Sequence, residues 1–220
     1  MKHAYFSVFV LAAIMSAQQP PQSMTKMMVQ LAGTDIARDS FAAKPKIFYR
    51  AGTTYCRVEE QPDPENGIHG LVIINEPDIW MVNLADQTAR HYVDDGPTFN
   101  CHMPIFGDRS SGMPKEVATQ IGALEFGFEM EFFKGHGAVR EPGPVLQIGG
   151  QPVQTNGYRL HFGDWMVALF TGGDVEKPAA VAMFHGEEHF TYYYAGYDLL
   201  PFDATLFAKP SGVKIEEEKN

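Results

Sequence analysis

The chain has 220 residues, 45% of them hydrophobic, and a formal net charge of −10. An acidic chain repels phosphate backbones and anionic lipid surfaces, so the composition argues against a nucleic-acid partner and against electrostatic docking on a membrane. The length is sufficient for one well-packed domain and does not require two.

The N-terminal segment has the pattern of an export signal. Lys2 precedes an apolar run from Ala4 to Met15, and the small residues Ser16 and Ala17 follow. The run is shorter than the roughly 20 residues that span a bilayer, which favours a cleaved signal peptide over a membrane anchor. We therefore expect a periplasmic or secreted protein with no integral membrane segment after cleavage. The predicted organisation is a signal peptide over 1–17, one domain over 18–215 and an acidic tail over 216–220.

From about Met27 to Phe207, strand-length apolar runs alternate with turn residues, which predicts a mostly antiparallel sheet. In one of these runs Cys56 and Val58 alternate with polar residues, so one face of the strand can be buried. The predicted strands are 46–50, 54–60, 70–75, 79–84, 88–93, 158–162, 165–171, 179–185 and 189–195.

One helix is predicted over residues 114–134, where a proline suits the first helical turn. Gly122 and Gly127 each weaken a helix by about 1 kcal/mol relative to alanine, so a broken helix is an open alternative. The apolar stripe of this helix predicts that it packs against the sheet. The stripe consists of Val117, Ile121, Leu124, Phe128 and Phe132.

Cys56 and Cys101 are the two cysteines of the sequence. In an oxidising compartment, two thiols favour one disulfide over two buried free thiols. A bridge between them closes a loop of about 46 residues. Neither cysteine lies in a Cys-x-x-Cys motif, which argues against a reactive thiol.

Three segments carry a family pattern: KIFYRAGTTYCRVEE from residue 46, EPDIWMVNLADQTARHYVD from residue 76, and DLLPFDATLFAKPSGVKIEE from residue 198. Together they resemble the LolA/LolB-like superfamily of periplasmic outer-membrane lipoprotein carriers. The resemblance implies an α+β fold in which a mostly antiparallel, incomplete β-barrel has a helix across its concave face and an apolar cavity for acyl chains. It also implies an arginine that holds a lid closed, and both Arg50 and Arg57 lie in the matching first hairpin.

Six apolar residues are candidates for the wall of that cavity. The alternative for each is an ordinary core position, because aromatic side chains on strands usually pack. Methionine and phenylalanine can cover an apolar surface that adapts to different acyl shapes. We therefore expect a carrier or binding protein for a lipid, an acylated protein or another apolar ligand, with no cofactor and no catalytic residue. The candidates are Trp80, Phe126, Met130, Phe133, Trp165 and Phe170.

Two alternatives from other classes stay open. In the first, a secreted metal-dependent hydrolase, His161, His185, Glu187 and His189 bind zinc and Glu188 serves as a base. The spacing differs from the helical His-Glu-x-x-His motif and the flanking residues favour strands, which favours a polar hairpin tip instead. The second is a cell-envelope interaction module whose exposed sheet edge accepts a partner strand. Bound metal supports the hydrolase, and an interior already filled by packing supports the module.

Overall fold

The computed structural model describes residues 20–96, 100–107, 112–173 and 175–217. One twelve-stranded sheet dominates this part of the chain. The predicted signal peptide and the last three residues of the predicted tail lie outside the described residues. The strands are β1 (Ser23–Gly33), β2 (Lys46–Ala51), β3 (Tyr55–Glu59), β4 (Gly70–Asn75), β5 (Asp78–Asn83), β6 (Thr88–Val93), β7 (Glu141–Ile148), β8 (Gln151–Phe162), β9 (Trp165–Gly172), β10 (Lys177–His185), β11 (Glu188–Pro201) and β12 (Lys214–Glu217).

The spatial order of the strands is β12-β6-β5-β4-β3-β2-β1-β11-β10-β9-β8-β7. Neighbours pair antiparallel except β12, which pairs parallel with β6. The two end strands β12 and β7 do not pair with each other, so the sheet is open. The predicted fold class is confirmed: the protein has an α+β fold with an incomplete, mostly antiparallel barrel. Glu216 and Glu217, part of the acidic tail predicted over 216–220, belong to β12.

The single helix predicted over 114–134 is two short helices, α1 (Lys115–Gly122) and α2 (Glu129–Gly135). Between them the backbone turns away to pair with an earlier segment of the chain. Leu124 O accepts a hydrogen bond from Ile105 N at 2.9 Å, and Phe126 N donates to Met103 O at 3.0 Å. Gly127 then takes a φ of +86°, a left-handed conformation that ends any continuous helix and that glycine adopts without strain. The break that the two glycines permitted is therefore present.

The concave face of the sheet carries the principal core. Its members come from β1 to β3 and β8 to β11 on the sheet side, and from residues 101–133 on the opposite side. Three smaller clusters lie apart from it. One of them groups Leu71, Ile73, Trp80, Val82 and Ala89 with Val213 and Ile215 near β12. β9 and β10 are apolar on both faces because the principal core covers one face and a cluster around Phe170 covers the other.

A disulfide joins Cys56 on β3 to Cys101, with the two Cα atoms 6.3 Å apart. Both cysteines are buried in the principal core. The pairing is the one that the sequence analysis favoured. It fixes the beginning of the segment that crosses the concave face to the middle of the sheet.

We expect the Cys56→Ala, Cys101→Ala double variant to lose about 2–4 kcal/mol in its free energy of unfolding, since the bridge restricts the unfolded chain. Urea unfolding with and without a reductant measures this loss. Reduced wild-type protein should match the double variant. Two thiols that titrate in denatured, non-reduced wild-type protein would show instead that the bridge is absent.

Candidate functional site

Residues 101–107 and 112–138 cross the concave face of the sheet, and we call them the cover. The space between cover and sheet, which we call the interior, is filled by apolar side chains. Those of Met27, Leu124, Phe133 and Leu169 are completely buried there. The cover is not a strand of the sheet, so the two layers adhere mainly through non-directional apolar packing.

Arg50 on β2 fastens the cover at one point, which we call the latch. Its guanidinium donates to Phe126 O at 2.9 Å and to Cys101 O at 3.1 Å, both on the cover. The guanidinium carbon lies 4.0 Å from the centre of the Phe128 ring. Arg50 is only 4% exposed. One buried cation thus holds two separate parts of the cover through backbone carbonyls and one aromatic face.

Glu125 completes the latch as the counter-charge of Arg50. Arg50 Nη1 and Glu125 Oε2 are 2.6 Å apart, an ion pair rather than a well-aligned hydrogen bond. The other carboxylate oxygen of Glu125 lies 2.7 Å from Nδ1 of His102. Burial favours the neutral acid, but His102 and Arg50 outweigh it and hold the pKa of Glu125 below its usual range. The carboxylate is therefore ionised and paired at neutral pH.

Gly127 is required next to the latch for two reasons. Its φ of +86° disfavours any residue with a side chain. A Cβ atom at this position would also lie 3.1 Å from Cδ of Arg50. The close approach of backbone to arginine lets the guanidinium reach the carbonyl of Phe126.

Arg57, the second arginine of the hairpin, points away from the cover. It contacts Glu59 at 2.7 Å and donates to Leu206 O at 2.8 Å. Leu206 packs in a different cluster, with Met24, Tyr49 and Phe207. Of the two arginines in the hairpin, Arg50 is thus the one in contact with the cover.

A second polar group lies deep in the interior. Glu129, the first residue of α2, is 1% exposed. Its Oε1 accepts hydrogen bonds from the Tyr194 hydroxyl at 2.6 Å and from Gly127 N at 2.9 Å. Burial raises the pKa of Glu129 and, together with the nearby carboxyl, raises the pKa of Tyr194 well above its usual value. Burial thus favours the neutral form of both groups, and their hydrogen bond joins α2 to β11.

Four of the six predicted wall residues lie in the interior and two do not. Phe126, Phe133 and Trp165 are buried in it, and Met130 packs against it. Trp80 instead packs in the cluster near β12 and stacks on His91 with ring centres 5.3 Å apart. Phe170 packs with three alanines on the face of β9 away from the principal core. Glu125 and Glu129 were not predicted, because acidic residues in a helical pattern usually face solvent. Tyr194 on β11 was not predicted either.

The histidines of the metal-site alternative are spread over the ends of two hairpins, His161 on β8–β9 and His185 and His189 on β10–β11. The His185 ring stacks on Trp165 with centres 4.0 Å apart, and His189 Nδ1 lies 3.2 Å from Thr34 Oγ1. His161 and Glu187 are exposed. Within the described ranges, no group of three or more His, Cys, Asp or Glu side chains is arranged to hold a metal ion.

No protein-family model matches this sequence, and neither does any curated protein. Solved structures do resemble it. A conserved, uncharacterized protein of Thermus thermophilus has 10% identity and a TM-score of 0.44, with 89% of this chain and 90% of that one covered. Lipoprotein LppX of Mycobacterium tuberculosis has 8% identity and a TM-score of 0.40, covering 80% and 86%. A LolA superfamily protein of Nitrosomonas europaea has 10% identity and a TM-score of 0.31, covering 87% and 91%.

These likenesses concern the fold alone. LolA superfamily structures are among them, as the sequence motifs indicated. In the part of the chain that the structure describes, no helix has both the length and the apolar character needed to cross a membrane.

Proposed function

We propose that the protein is an exported binding protein that takes an apolar or amphipathic ligand, such as a lipid or the acyl chain of an acylated protein, between the sheet and the cover. Export rests on the signal pattern of residues 1–17. The binding role rests on how the interface between the sheet and the cover is built. An apolar, methionine- and aromatic-rich layer is closed by a separate segment that the disulfide, the buried latch and the Glu129–Tyr194 hydrogen bond hold to the sheet.

The interior is filled in the closed arrangement, so a ligand enters only when the cover lifts. The disulfide at Cys101 fixes one end of the cover to β3, and β7 begins at Glu141, shortly after the other end. The middle, around α1 and α2, pairs with no strand of the sheet, so it can move once the latch and the hydrogen bond between Glu129 and Tyr194 are broken. When the cover lifts, it exposes apolar surface on the sheet. A ligand with a similar apolar area covers that surface again, which limits the free energy cost of opening.

The filled interior also supports the alternative function, a cell-envelope interaction module that accepts a strand of a partner at a sheet edge. Strand addition needs a free sheet edge, and both edges of this sheet carry features that oppose it. β7 contains Pro142 and Pro144, and β12 carries Lys214, Glu216 and Glu217. Prolines and charges on edge strands prevent pairing with other chains. The binding role therefore agrees better with the geometry.

The two tryptophans test the proposal because they lie on different faces of the sheet. We expect a saturable change in tryptophan fluorescence when dodecanoic acid or lysophosphatidylcholine is titrated into the protein without its signal peptide. Trp165 lies in the interior and should report binding, whereas Trp80 lies outside the principal core and should not. The Trp80→Phe variant should keep the response and Trp165→Phe should lose it.

Circular dichroism of both variants serves as the control for folding. The absence of a saturable response in wild-type protein would overturn the binding role in favour of the interaction module. A response that Trp80 alone reports would place the ligand outside the interior.

A further inference from the structure

The carboxyl of Glu129 has one hydrogen-bonding position that the protein leaves unused. Oε1 accepts two hydrogen bonds, from the Tyr194 hydroxyl and from Gly127 N. Oε2 is as deeply buried and has no hydrogen-bond partner among the described residues. Buried polar atoms without a partner are uncommon in folded proteins, and each one needs an explanation.

The chemistry of that position follows from its surroundings. Burial in the interior raises the pKa of Glu129 and so favours the neutral carboxylic acid, and no cation is hydrogen-bonded to the carboxyl to compensate a charge. Both partners of Oε1 are donors, which leaves the acid proton on Oε2. This atom is therefore a buried O–H donor that lacks an acceptor.

We infer that Glu129 is a specificity-determining residue of the interior, and that its Oε2–H donates to the carbonyl oxygen of an acyl ester or acyl amide in the ligand. This inference rests on the proposed function, because the ligand must first reach the interior. An acyl carbonyl is attached directly to an alkyl chain, which suits one donor buried in an interior whose other side chains, such as those of Phe126 and Met130, are mainly apolar. A charged group at this position is disfavoured because no cation is hydrogen-bonded to Glu129 to compensate it.

Three matched probes test the inference. Glycerol monododecanoate carries an ester carbonyl, the corresponding dodecanoyl amide of aminopropanediol carries an amide carbonyl, and glycerol monododecyl ether carries none. We expect wild-type protein to bind a carbonyl-bearing probe about 5-fold more tightly than the ether, as for one added hydrogen bond. The ester and amide titrations separate the two sources of the carbonyl.

Two variants test whether Glu129 is the source of the preference for a carbonyl. Glu129→Gln keeps a donor, because its amide oxygen can accept from Tyr194 and Gly127 while the amide nitrogen takes the place of Oε2. It should keep the carbonyl preference. Glu129→Met has a similar length and no donor, and should bind all three probes equally. Isothermal titration calorimetry below the aggregation concentration of each probe measures the affinities.

Titration of the three probes into wild-type protein is by itself enough to overturn the inference. Equal binding of all three probes would refute it and leave the proposed function intact, with an ordered water as the partner of Oε2. A carbonyl preference that survives in Glu129→Met would also refute it, because another donor would then be responsible. Failure of every probe to bind would reject the proposed function and this inference together.

Discussion

Replacement of Arg50 by leucine should lower the free energy of unfolding by about 3–5 kcal/mol, because it leaves the buried carboxylate of Glu125 without its cation. The same substitution removes the hydrogen bonds to Phe126 O and Cys101 O. The loss should be concentrated in the cover. Urea unfolding measures the total effect, and hydrogen exchange of the amides of α1 and α2 measures the local one.

Arg57→Leu is the matched control, since Arg57 lies in the same hairpin but contacts Glu59 and Leu206 O away from the cover. Its ion pair is partly exposed, so we expect a loss of about 1 kcal/mol and no faster exchange in α1 and α2. Arg50→Leu should also raise ligand affinity, because a larger fraction of molecules has an open cover. Equal exchange rates in the two variants would show that Arg50 does not hold the cover.

The latch should weaken in acid. The pKa of Glu125 is held below its unfolded value, so its contribution to stability is complete above the unfolded pKa and is lost as the pH falls through the folded pKa. The stability difference between wild-type protein and Arg50→Leu should accordingly shrink in that acidic range. His102, the second partner of the carboxylate, is largely exposed to solvent.

The hairpins of the sheet could be predicted because each strand is a short run of strand-forming residues between turn residues. β2, β3, β4, β5 and β6 are all of this kind. β7 was not predicted, since Pro142, Gly143 and Pro144 interrupt its pattern, and an edge strand tolerates them. The break between α1 and α2 depends on hydrogen bonds to Met103 and Ile105, which periodicity in residues 114–134 alone cannot specify.

The choice of face explains why Trp80 and Phe170 lie outside the interior. Trp80 lies in the run DIWMVN and Phe170 in the run WMVALF, and both runs are apolar at consecutive positions. Alternation identifies the buried face only when the other face is polar. The assignment of these two residues therefore depends on what covers each face, which is set by chain segments far away in sequence. The burial of Glu129 could not be predicted for the same reason, because Glu129 packs against Tyr194 on β11, which is far away in sequence.

Phe133→Ala should lower the free energy of unfolding by about 3–5 kcal/mol, as for a large aromatic side chain removed from a packed core. Phe133 is completely buried between α2 and the sheet. Because the lost contacts belong to the closed cover, the variant should hold its cover open in a larger fraction of molecules. Its affinity for dodecanoic acid should then rise by at least about tenfold. Urea unfolding and calorimetric titration measure the two effects.

Phe170→Ala separates a weakened closed cover from a general loss of stability. Phe170 is nearly as buried as Phe133 but packs with Ala168, Ala180 and Ala182 on the face of β9 away from the principal core. Its removal should also destabilise the fold by about 3 kcal/mol and leave ligand affinity unchanged, because the interior is untouched. If both variants raise the affinity equally, binding follows general loosening of the fold. If Phe133→Ala weakens binding while Phe170→Ala does not, the ligand needs that side chain as part of its wall, and the closed cover is not what limits access.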